Sequence, residues 1–309
     1  MPDDTLKEFD LIRWIRNAAP ADELVRVGIG DDAAVVANRT DSSLVTTDML
    51  VDGTHFDLAT ASPRDVGWKS IACSVSDIAA MGGRCSVAVM SAALPHGFAA
   101  SQAEALVRGA LACAAEFDVR LVGGDVTGTH GPLAINVTML GDTAGLPPIL
   151  RSGAKPGDAV LVTGTLGGSR LGRQLCFRPR LAEGFTLNEK WHPHAMLDIS
   201  DGLAIDLHHI LEESGVGVVV RADCVPVSDD AHGAAKASGR APLDHALGDG
   251  EDYELLFTID PEAGTELVRQ QPFDIPVTRI GDITESGARL VMPDGSEVPL
   301  ERKGWEHAT

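Results

Sequence analysis

Helical and strand patterns alternate along the whole chain of 309 residues. Residues 103–114 place apolar side chains three and four positions apart, which predicts a helix with one buried face. Residues 87–94 and 159–163 are short apolar runs typical of buried strands. This alternation predicts a mixed α/β fold.

A break in the pattern predicts two domains. Residues 141–157 contain three prolines and four glycines, a composition typical of a linker. We therefore expect one domain over residues 1–145 and a second over residues 146–309. Within the first, Ser62-Pro63 predicts a helix start, with the helix running to about Met81 before two glycines.

The charge balance excludes some classes of partner. The chain carries 45 acidic and 25 basic side chains, a formal net charge of −20. Nucleic acids and anionic membrane surfaces are bound by clustered Lys and Arg, so neither is an expected partner. No apolar run approaches the roughly 20 residues of a transmembrane helix. The first residues lack the basic and apolar regions of a secretory signal, so none is expected.

The cysteines indicate a reducing compartment. There are five, an odd number, and none forms a CxxC pair. Free thiols of this kind predict a cytoplasmic protein.

Acidic residues recur at the ends of apolar runs, beside glycines and hydroxyl residues. They occur in segments 30–32, 46–48, 76–77, 124–125, 198–202 and 248–252. Two carboxylates 4 Å apart repel by about 4 kcal/mol at an effective dielectric near 20, so a cluster needs cations or protons. Carboxylates with hydroxyls suit Mg²⁺, which usually also binds substrate phosphates. Each acid alone could instead be a helix cap or turn residue.

Glycine-rich segments allow several interpretations. Residues 28–33 fit the spacing of a dinucleotide-binding loop, but Asp31 and Asp32 stand where a pyrophosphate would dock, which disfavours it. No Gly-Lys dipeptide occurs, which excludes a P-loop. Residues 164–169 form either an anion cradle or a plain tight turn, followed by an expected helix.

Taken together, the motifs resemble one family. They are Gly-Ile-Gly-Asp-Asp at 28–32, Thr-Thr-Asp-Met-Leu-Val at 46–51, Ser-Asp-Ile-Ala-Ala-Met-Gly at 76–82, Gly-Gly-Asp at 123–125, Arg-Ser-Gly-Ala-Lys-Pro-Gly-Asp at 151–158, Asp-Ile-Ser-Asp-Gly-Leu at 198–203 and Gly-Glu-Asp-Tyr-Glu-Leu-Leu at 250–256. From residue 8 to about residue 307 the chain resembles the thiamine-phosphate kinase family, within the aminoimidazole ribonucleotide synthetase-like superfamily.

The resemblance implies a two-domain aminoimidazole ribonucleotide synthetase-like fold of the mixed α/β class. Its N-terminal domain would bind ATP and metal and form a homodimer through its sheet. Its C-terminal α/β domain would close the active-site cleft. The implied reaction is phosphorylation of thiamine monophosphate by ATP, by direct in-line transfer assisted by several Mg²⁺ ions.

The resemblance also implies site residues. The implied metal ligands are Asp31, Thr46, Thr47, Asp48, Asp77, Asp125, Asp198 and Asp201. The implied ATP contacts are Gly124, Asp125, Arg151 and Ser200, and the implied substrate contacts are His55, Glu251 and Trp305. Catalytic roles are expected for Asp48, Asp125, Arg151 and Asp201.

Three positions depart from the family pattern: Asp249 replaces a common glycine, Ser74 a common Asn, and Val107 a common Tyr. Two other interpretations stay open. One is another ATP-using member of the superfamily, similar to a purine-pathway synthetase or a hydrogenase-maturation enzyme. The other is a non-catalytic, metal-stabilised dimer, which the intact acid set disfavours.

Overall fold

Two main β-sheets organise the chain, one in each of two units. The structure, a computed structural model, describes residues 14, 15, 17, 18, 24–27, 35, 36, 40 and 43–305. Backbone contacts separate a unit of residues 1–78 and 83–145 from a unit of residues 79–82 and 146–309. Helices and strands alternate in both, so the predicted mixed α/β class is confirmed.

The first unit contains a four-stranded sheet. Its elements are β1 (Val25–Val27), β2 (Val35–Val36), β3 (Leu44–Val51), α1 (Pro63–Ala80), β4 (Arg84–Pro95), α2 (Ala100–Glu116), β5 (Arg120–Thr129) and β6 (Ala134–Asp142). The strand order is β3-β6-β4-β5, and β1 pairs with β2 in a small separate ribbon. Strands β4 and β5 are parallel and α2 connects them, while the other pairs are antiparallel.

The predicted helix start at Ser62 is confirmed. The Asp65 backbone N–H donates to Ser62 Oγ at 3.2 Å, and Ser62 Oγ donates to the Asp65 carboxylate at 2.7 Å. Strand β5 continues through the two glycines at 123 and 124 to Thr129, although glycines are uncommon inside strands. Pairing with all of β4 explains this, since sheet hydrogen bonds hold glycines that alone favour a turn.

Helices α1 and α2 touch at two glycines. A Cβ on Gly67 would lie 1.9 Å from Leu106 O, and one on Gly109 would lie 1.8 Å from Arg64 O. Neither distance is possible for real atoms, so only glycine lets the helix backbones approach this closely. The contact sets the position of α1, which carries the predicted metal ligand Asp77.

The second unit contains a seven-stranded sheet. Its elements are β7 (Ala159–Thr163), α3 (Leu181–Thr186), β8 (Ala195–Asp198), α4 (Leu203–Ser214), β9 (Gly217–Arg221), α5 (Asp229–Ser238), α6 (Pro242–Gly248), β10 (Leu255–Ile259), α7 (Pro261–Gln270), β11 (Val277–Thr284), β12 (Ala288–Val291) and β13 (Glu297–Pro299). The strand order is β13-β12-β9-β11-β7-β10-β8.

Both faces of this sheet are covered. In β7, Val160 and Val162 belong to one buried apolar cluster, together with residues of α4. Leu161, between them, belongs to a second cluster, which includes Leu267 of α7. Successive strand residues point to opposite faces, so the continuous apolar run at 159–163 follows from burial on both sides.

The expected helix after the glycine-rich turn is wrong. Two short 3₁₀ turns, Ser169–Leu171 and Arg173–Leu175, occupy this stretch. Gly172 separates them with φ of 131°, outside the helical region, so an α-helix cannot pass through it. Across the part of the chain that the structure describes, no helix has the length and apolarity needed to cross a lipid bilayer.

The helix contact generates a stability prediction. We expect Gly109→Ala to lower the free energy of unfolding by about 3 kcal/mol, because the added methyl forces α1 and α2 apart. Gly233→Ala is the matched control, since Gly233 lies within α5 and a Cβ added there would lie 3.8 Å from its nearest neighbour. That variant should gain about 0.5–1 kcal/mol. Urea unfolding followed by circular dichroism measures both, and equal effects would contradict the close approach.

Candidate functional site

Two carboxylates from different elements lie together in the first unit. Asp48 is on β3 and Asp77 is near the end of α1. Ser74 Oγ donates to Asp48 Oδ2 at 2.5 Å, and Thr46 Oγ1 donates to Asp77 Oδ2. Thr46 and Asp48 share a face of β3 because they are two positions apart. The structure therefore brings together three of the predicted metal ligands, Thr46, Asp48 and Asp77.

The Asp48–Asp77 pair is electrostatically strained. Burial, followed by the charge of Asp77, raises the pKa of Asp48 from 3.8 to about 6, and the hydrogen bond from Ser74 partly opposes the rise. Each carboxylate makes the other's ionised form less favourable. The pair thus favours taking up a proton or a cation.

Two other predicted ligands lie elsewhere, and one is outside the described residues. Thr47 points to the opposite face of β3, where Asn136 Nδ2 donates to its hydroxyl at 3.0 Å. Asp125, exposed on β5, lies in a cross-strand row with Ser91, Asn136 and Met49. Three strand spacings, roughly 14 Å, separate that edge from β3. Asp31 belongs to the residues that the structure does not describe.

A pocket lies between β5 and α2. Its cavity volume is about 120 Å³, and Gly124 and Asp125 are on its wall. The other lining side chains are mainly apolar, including Met90, Leu106 and Val107. The pocket thus combines apolar walls with one edge of glycine backbone and carboxylate, a composition suited to a flat apolar ring carrying a polar group.

His55 lies in the loop that follows β3. Its ring Nδ1 accepts a hydrogen bond from the Val51 backbone N–H at 3.0 Å. Its backbone carbonyl accepts a hydrogen bond of 2.8 Å from Nζ of Lys69, a fully buried lysine of α1. Both the ring and the backbone of His55 are therefore anchored.

In the second unit, two loops carry most of the remaining predicted residues. The Glu251 backbone N–H donates to Ser200 O at 2.7 Å, and the Tyr253 N–H donates to Ile199 O at 2.8 Å. A Cβ on Gly250 would lie 2.7 Å from Ser200 O, so the loops approach at a glycine with φ of 72°. This contact brings Glu251 beside the segment that contains Asp198, Ser200 and Asp201.

Trp305 joins the same group. Its backbone N–H donates to Asp201 O at 2.9 Å. The guanidinium carbon of Arg170 lies 4.8 Å from the centre of its ring, a cation–π distance. As a whole residue, Trp305 is 39% exposed.

A cluster at the start of α4 was missed by sequence reasoning. Asp201, Asp206 and His209 each offer a ligand atom, and these atoms lie within 4.8 Å of one another. Burial, then the charge of Asp201, raises the pKa of Asp206 to about 7. Burial, then the charge of Arg151, lowers the pKa of His209. Arg151, a predicted ATP contact, therefore acts electrostatically on this cluster.

Sequence spacing could have revealed two of these residues. Asp206 and His209 are three positions apart, so in a helix their side chains share one face. Ser74 lies three positions before Asp77, so in a helix these two side chains also share one face. Nothing in the sequence indicates that a serine would donate to the carboxylate of Asp48 on another element.

The glycine-rich turn at 164–169 is a structural turn. The Gly167 N–H donates to both oxygens of Asp252 at 2.9 Å, and the Gly168 N–H donates to Asp249 at 3.2 Å. Carboxylates of the chain itself thus occupy the amide donors that an external anion would use. Of the two interpretations left open by the sequence, the tight turn is the one observed.

Comparisons with known proteins agree with these features. The family model described as AIR synthase related protein, N-terminal domain, matches residues 30–143. The thiamine-monophosphate kinase of Rhodopirellula baltica is 39% identical over 284 residues, 89% of each chain. The solved structure of AaThiL complexed with AMPPCP and TMP is 31% identical, with a TM-score of 0.76 over 99% of this chain and 100% of that one.

A more distant structure shares the fold. The hydrogenase maturation protein HypE is 19% identical, with a TM-score of 0.80 over 98% of this chain and 99% of that one. Identity at this level shows a common fold only, whereas the thiamine-monophosphate kinase relatives match almost the full length at 32–39% identity. The chain therefore belongs to the thiamine-monophosphate kinase family.

Proposed function

We propose that the chain transfers the γ-phosphoryl group of ATP to thiamine monophosphate, giving thiamine diphosphate and ADP. One observation carries the proposal: a chain 39% identical to a thiamine-monophosphate kinase keeps a paired-carboxylate site, Asp48 with Asp77. Phosphoryl transfer needs positioning and charge neutralisation more than covalent chemistry, and such a site supplies both.

The pocket between β5 and α2 is our candidate for the nucleotide base. Met90, Leu106 and Val107 offer an apolar surface to a purine, while Gly124 and Asp125 lie at its wall. Val107 provides aliphatic contact where the family commonly has an aromatic ring. Arg151 and Ser200, in the second unit, are the proposed contacts for the phosphates of ATP, since a guanidinium makes strong, directional hydrogen bonds to phosphate.

The donor set of the first unit fits Mg²⁺. The carboxylates of Asp48 and Asp77 and the hydroxyl of Thr46 are all oxygen donors, and a divalent cation would relieve the repulsion that raises the Asp48 pKa. In the second unit, Asp198 and Asp201 are the proposed ligands. Bound Mg²⁺ would neutralise phosphate charge. Three further metal ligands are proposed from the family resemblance alone: Asp31, Thr47 and Asp125.

The acceptor is itself a phosphate, so the chain must hold two anions together. We assign His55 and Glu251 to orienting thiamine monophosphate, and Trp305 to contact with its rings. The proposed catalytic roles are to hold and align the reacting groups. We assign them to Asp48, Asp125, Arg151 and Asp201. We also propose direct transfer, without a phosphorylated enzyme, because phosphoryl transfer needs charge neutralisation and alignment more than covalent chemistry from the protein.

The N-terminal sheet is the proposed homodimer surface. Val45 and Met49 of β3 are 66% and 60% exposed, on the face opposite Asp48. On the other face of the sheet, Val137 and Met139 are 1% and 0% exposed. A second copy covering the exposed face would remove apolar side chains from water, which favours association. We also propose a cytoplasmic location, since none of the five cysteines forms a disulfide.

The first prediction concerns the reaction. With ATP and MgCl₂, the purified protein should convert thiamine monophosphate to thiamine diphosphate, separated by chromatography with fluorescence detection. Asp48→Asn should lower kcat/KM at least about 100-fold, the usual loss when one preorganised charge is removed. Asp118→Asn is the control, because Asp118 is an exposed loop residue with φ of 57°, which Asn tolerates. ATP turnover with a different acceptor, and no thiamine diphosphate, would contradict the proposal.

The second prediction concerns pH and metal. Folding raises the pKa of Asp48 from 3.8 to about 6, so the metal-free protein loses stability as pH rises through that interval. Mg²⁺ binds the ionised carboxylate, so its stabilising effect should be large at pH 7.5 and small at pH 5. Thermal unfolding with MgCl₂ and with EDTA at both pH values measures this. In Asp48→Asn the Mg²⁺ effect at pH 7.5 should shrink, and an unchanged effect would remove Asp48 from the ligand set.

The third prediction concerns assembly. Light scattering after size exclusion should give a mass of two 32.4 kDa chains for the unmodified protein. The double change Val45→Lys and Met49→Lys should give a single chain, because two ammonium groups would have to be buried at the interface. Leu171→Lys is the control, since Leu171 is 65% exposed in the other unit. A dimer that survives the double change would place the interface elsewhere.

A further inference from the structure

One segment of the second unit contacts the loop of Glu251 at three consecutive residues. This segment, residues 170–180, leads from the glycine-rich turn to α3, and we call it the strap. The loop comprises residues 250–254 and leads into β10. Strap residues 173, 177 and 180 contact loop residues 252, 253 and 254, in the same order along both segments. The strap therefore runs alongside the loop and holds it at successive points.

Two of the three contacts are ion pairs with buried carboxylates. Arg173 Nη2 donates to Asp252 Oδ1 at 2.9 Å, and the Asp252 side chain is 0% exposed. Arg180 donates through Nε and Nη2 to the two oxygens of Glu254, at 2.7 and 2.5 Å, and the Glu254 side chain is 1% exposed. Buried carboxylates lose their hydration, so guanidinium donors compensate them. The two pairs thus tie the strap to the loop on either side of residue 253.

The third contact is a ring stack between these two ion pairs. The rings of Phe177 and Tyr253 have centroids 3.8 Å apart and planes inclined by 9°. Both residues are buried. Stacked, buried aromatic rings have little freedom to turn, so the stack fixes the direction of the Tyr253 side chain.

The loop needs these restraints because its backbone is unusual. Glu251 and Tyr253 have φ of 57° and 52°, and Gly250 has φ of 72°. Residues other than glycine enter this left-handed region at a cost in free energy, so surrounding contacts must hold them there. The N–H groups of Glu251 and Tyr253 donate to the carbonyls of Ser200 and Ile199. The strap adds side-chain restraints at the residues directly after Glu251.

The strap also contacts a second residue assigned to the acceptor. Its first residue, Arg170, places a guanidinium over the indole of Trp305, with 4.8 Å between the guanidinium carbon and the ring centre. One short segment therefore contacts Trp305 at its beginning and the loop of Glu251 along the rest of its length.

We propose that the strap is a positioning element for the acceptor substrate, in which Arg173, Phe177 and Arg180 hold the loop in the conformation that presents Glu251. This inference rests on the proposed function, in which Glu251 orients thiamine monophosphate. The three strap residues act through the loop. Weakening the strap therefore lowers the affinity for thiamine monophosphate, and it does so without unfolding the second unit.

Amide hydrogen exchange, followed by mass spectrometry, tests the restraint directly. Arg173→Met removes the guanidinium, while Asp252 still accepts the Gly167 N–H. We expect the peptide that covers the loop to exchange about tenfold faster than in the unmodified protein, and peptides of β11 to be unchanged. Arg269→Met is the matched control, because Arg269 pairs with Glu266 on the surface of α7. That variant should change neither region.

Affinity for the acceptor tests the positioning role. In Arg173→Met we expect the Kd for thiamine monophosphate, measured by calorimetry without ATP, to rise about tenfold. The KM for ATP should change less than about twofold, because Asp206 of α4 independently holds the N–H groups of Asp201 and Gly202. Arg173→Lys keeps the charge and should recover part of the affinity.

A milder variant tests the same inference if Arg173→Met does not fold. Phe177→Leu keeps an apolar side chain in the buried position and removes the ring stack on Tyr253. We expect changes in the same direction as in Arg173→Met but smaller, both in the exchange of the loop and in the Kd for thiamine monophosphate.

The outcomes are separable from those of the proposed function. Unchanged affinity for thiamine monophosphate in the strap variants overturns the inference, even when the unmodified protein forms thiamine diphosphate. Faster exchange in β11 as well as in the loop also overturns it, because the strap is then a general stabilising element. Conversely, a protein that binds thiamine monophosphate without phosphorylating it refutes the proposed function, while weaker binding by the strap variants still supports the inference. Absence of binding by the unmodified protein refutes both.

Discussion

The repulsion between Asp48 and Asp77 is the interaction on which the first unit's site depends. Left alone, two partly buried carboxylates would move apart or take up a proton. Here β3 and α1 hold them, and the hydroxyls of Ser74 and Thr46 each donate to one of them. The glycine contact between α1 and α2 limits the movement of α1. Rigid packing therefore maintains two carboxylates in an arrangement that is unfavourable when both are ionised.

The second unit uses its acids in two different ways. Asp249 and Asp252 are structural, because they accept the amide N–H groups of the glycine-rich turn. Asp206 is also structural in part, since its carboxylate accepts the N–H groups of Asp201 and Gly202 at 3.0 and 2.9 Å. These bonds hold the loop that contains Asp201. The second unit thus contains carboxylates that shape loops as well as the carboxylates proposed as metal ligands.

The sequence predicts the helices and strands well, but it predicts the contacts between their side chains poorly. Apolar periodicity predicts α2, β4 and β7, because those patterns follow from burial on one face or on both. The sequence does not predict that β5 runs through two glycines, since pairing with β4 outweighs local preference. The sequence shows that acids recur at strand ends. It does not show which of these acids lie close together in the folded chain. Thr46 and Thr47 are adjacent, and only the strand's alternation assigns them to opposite faces.

Three contacts that the sequence did not predict share one property: each joins residues from different segments of the chain. Lys69 reaches His55, and Ser74 reaches Asp48, through contacts that no local pattern encodes. Asp252 is similar, because its carboxylate meets the Gly167 amide 85 positions away. Spacing rules describe neighbours within one helix or strand, so contacts between elements require the three-dimensional structure.

Strand β3 also has a consequence for the newly made chain. Among the strands that the structure describes, it lies at an edge of its sheet, and it exposes Val45 and Met49, a combination that favours strand-to-strand aggregation. A net charge of −20 opposes this, because chains of the same sign repel each other at long range. The acidic surface therefore contributes colloidal stability, and high salt concentrations would weaken that protection by screening the charge.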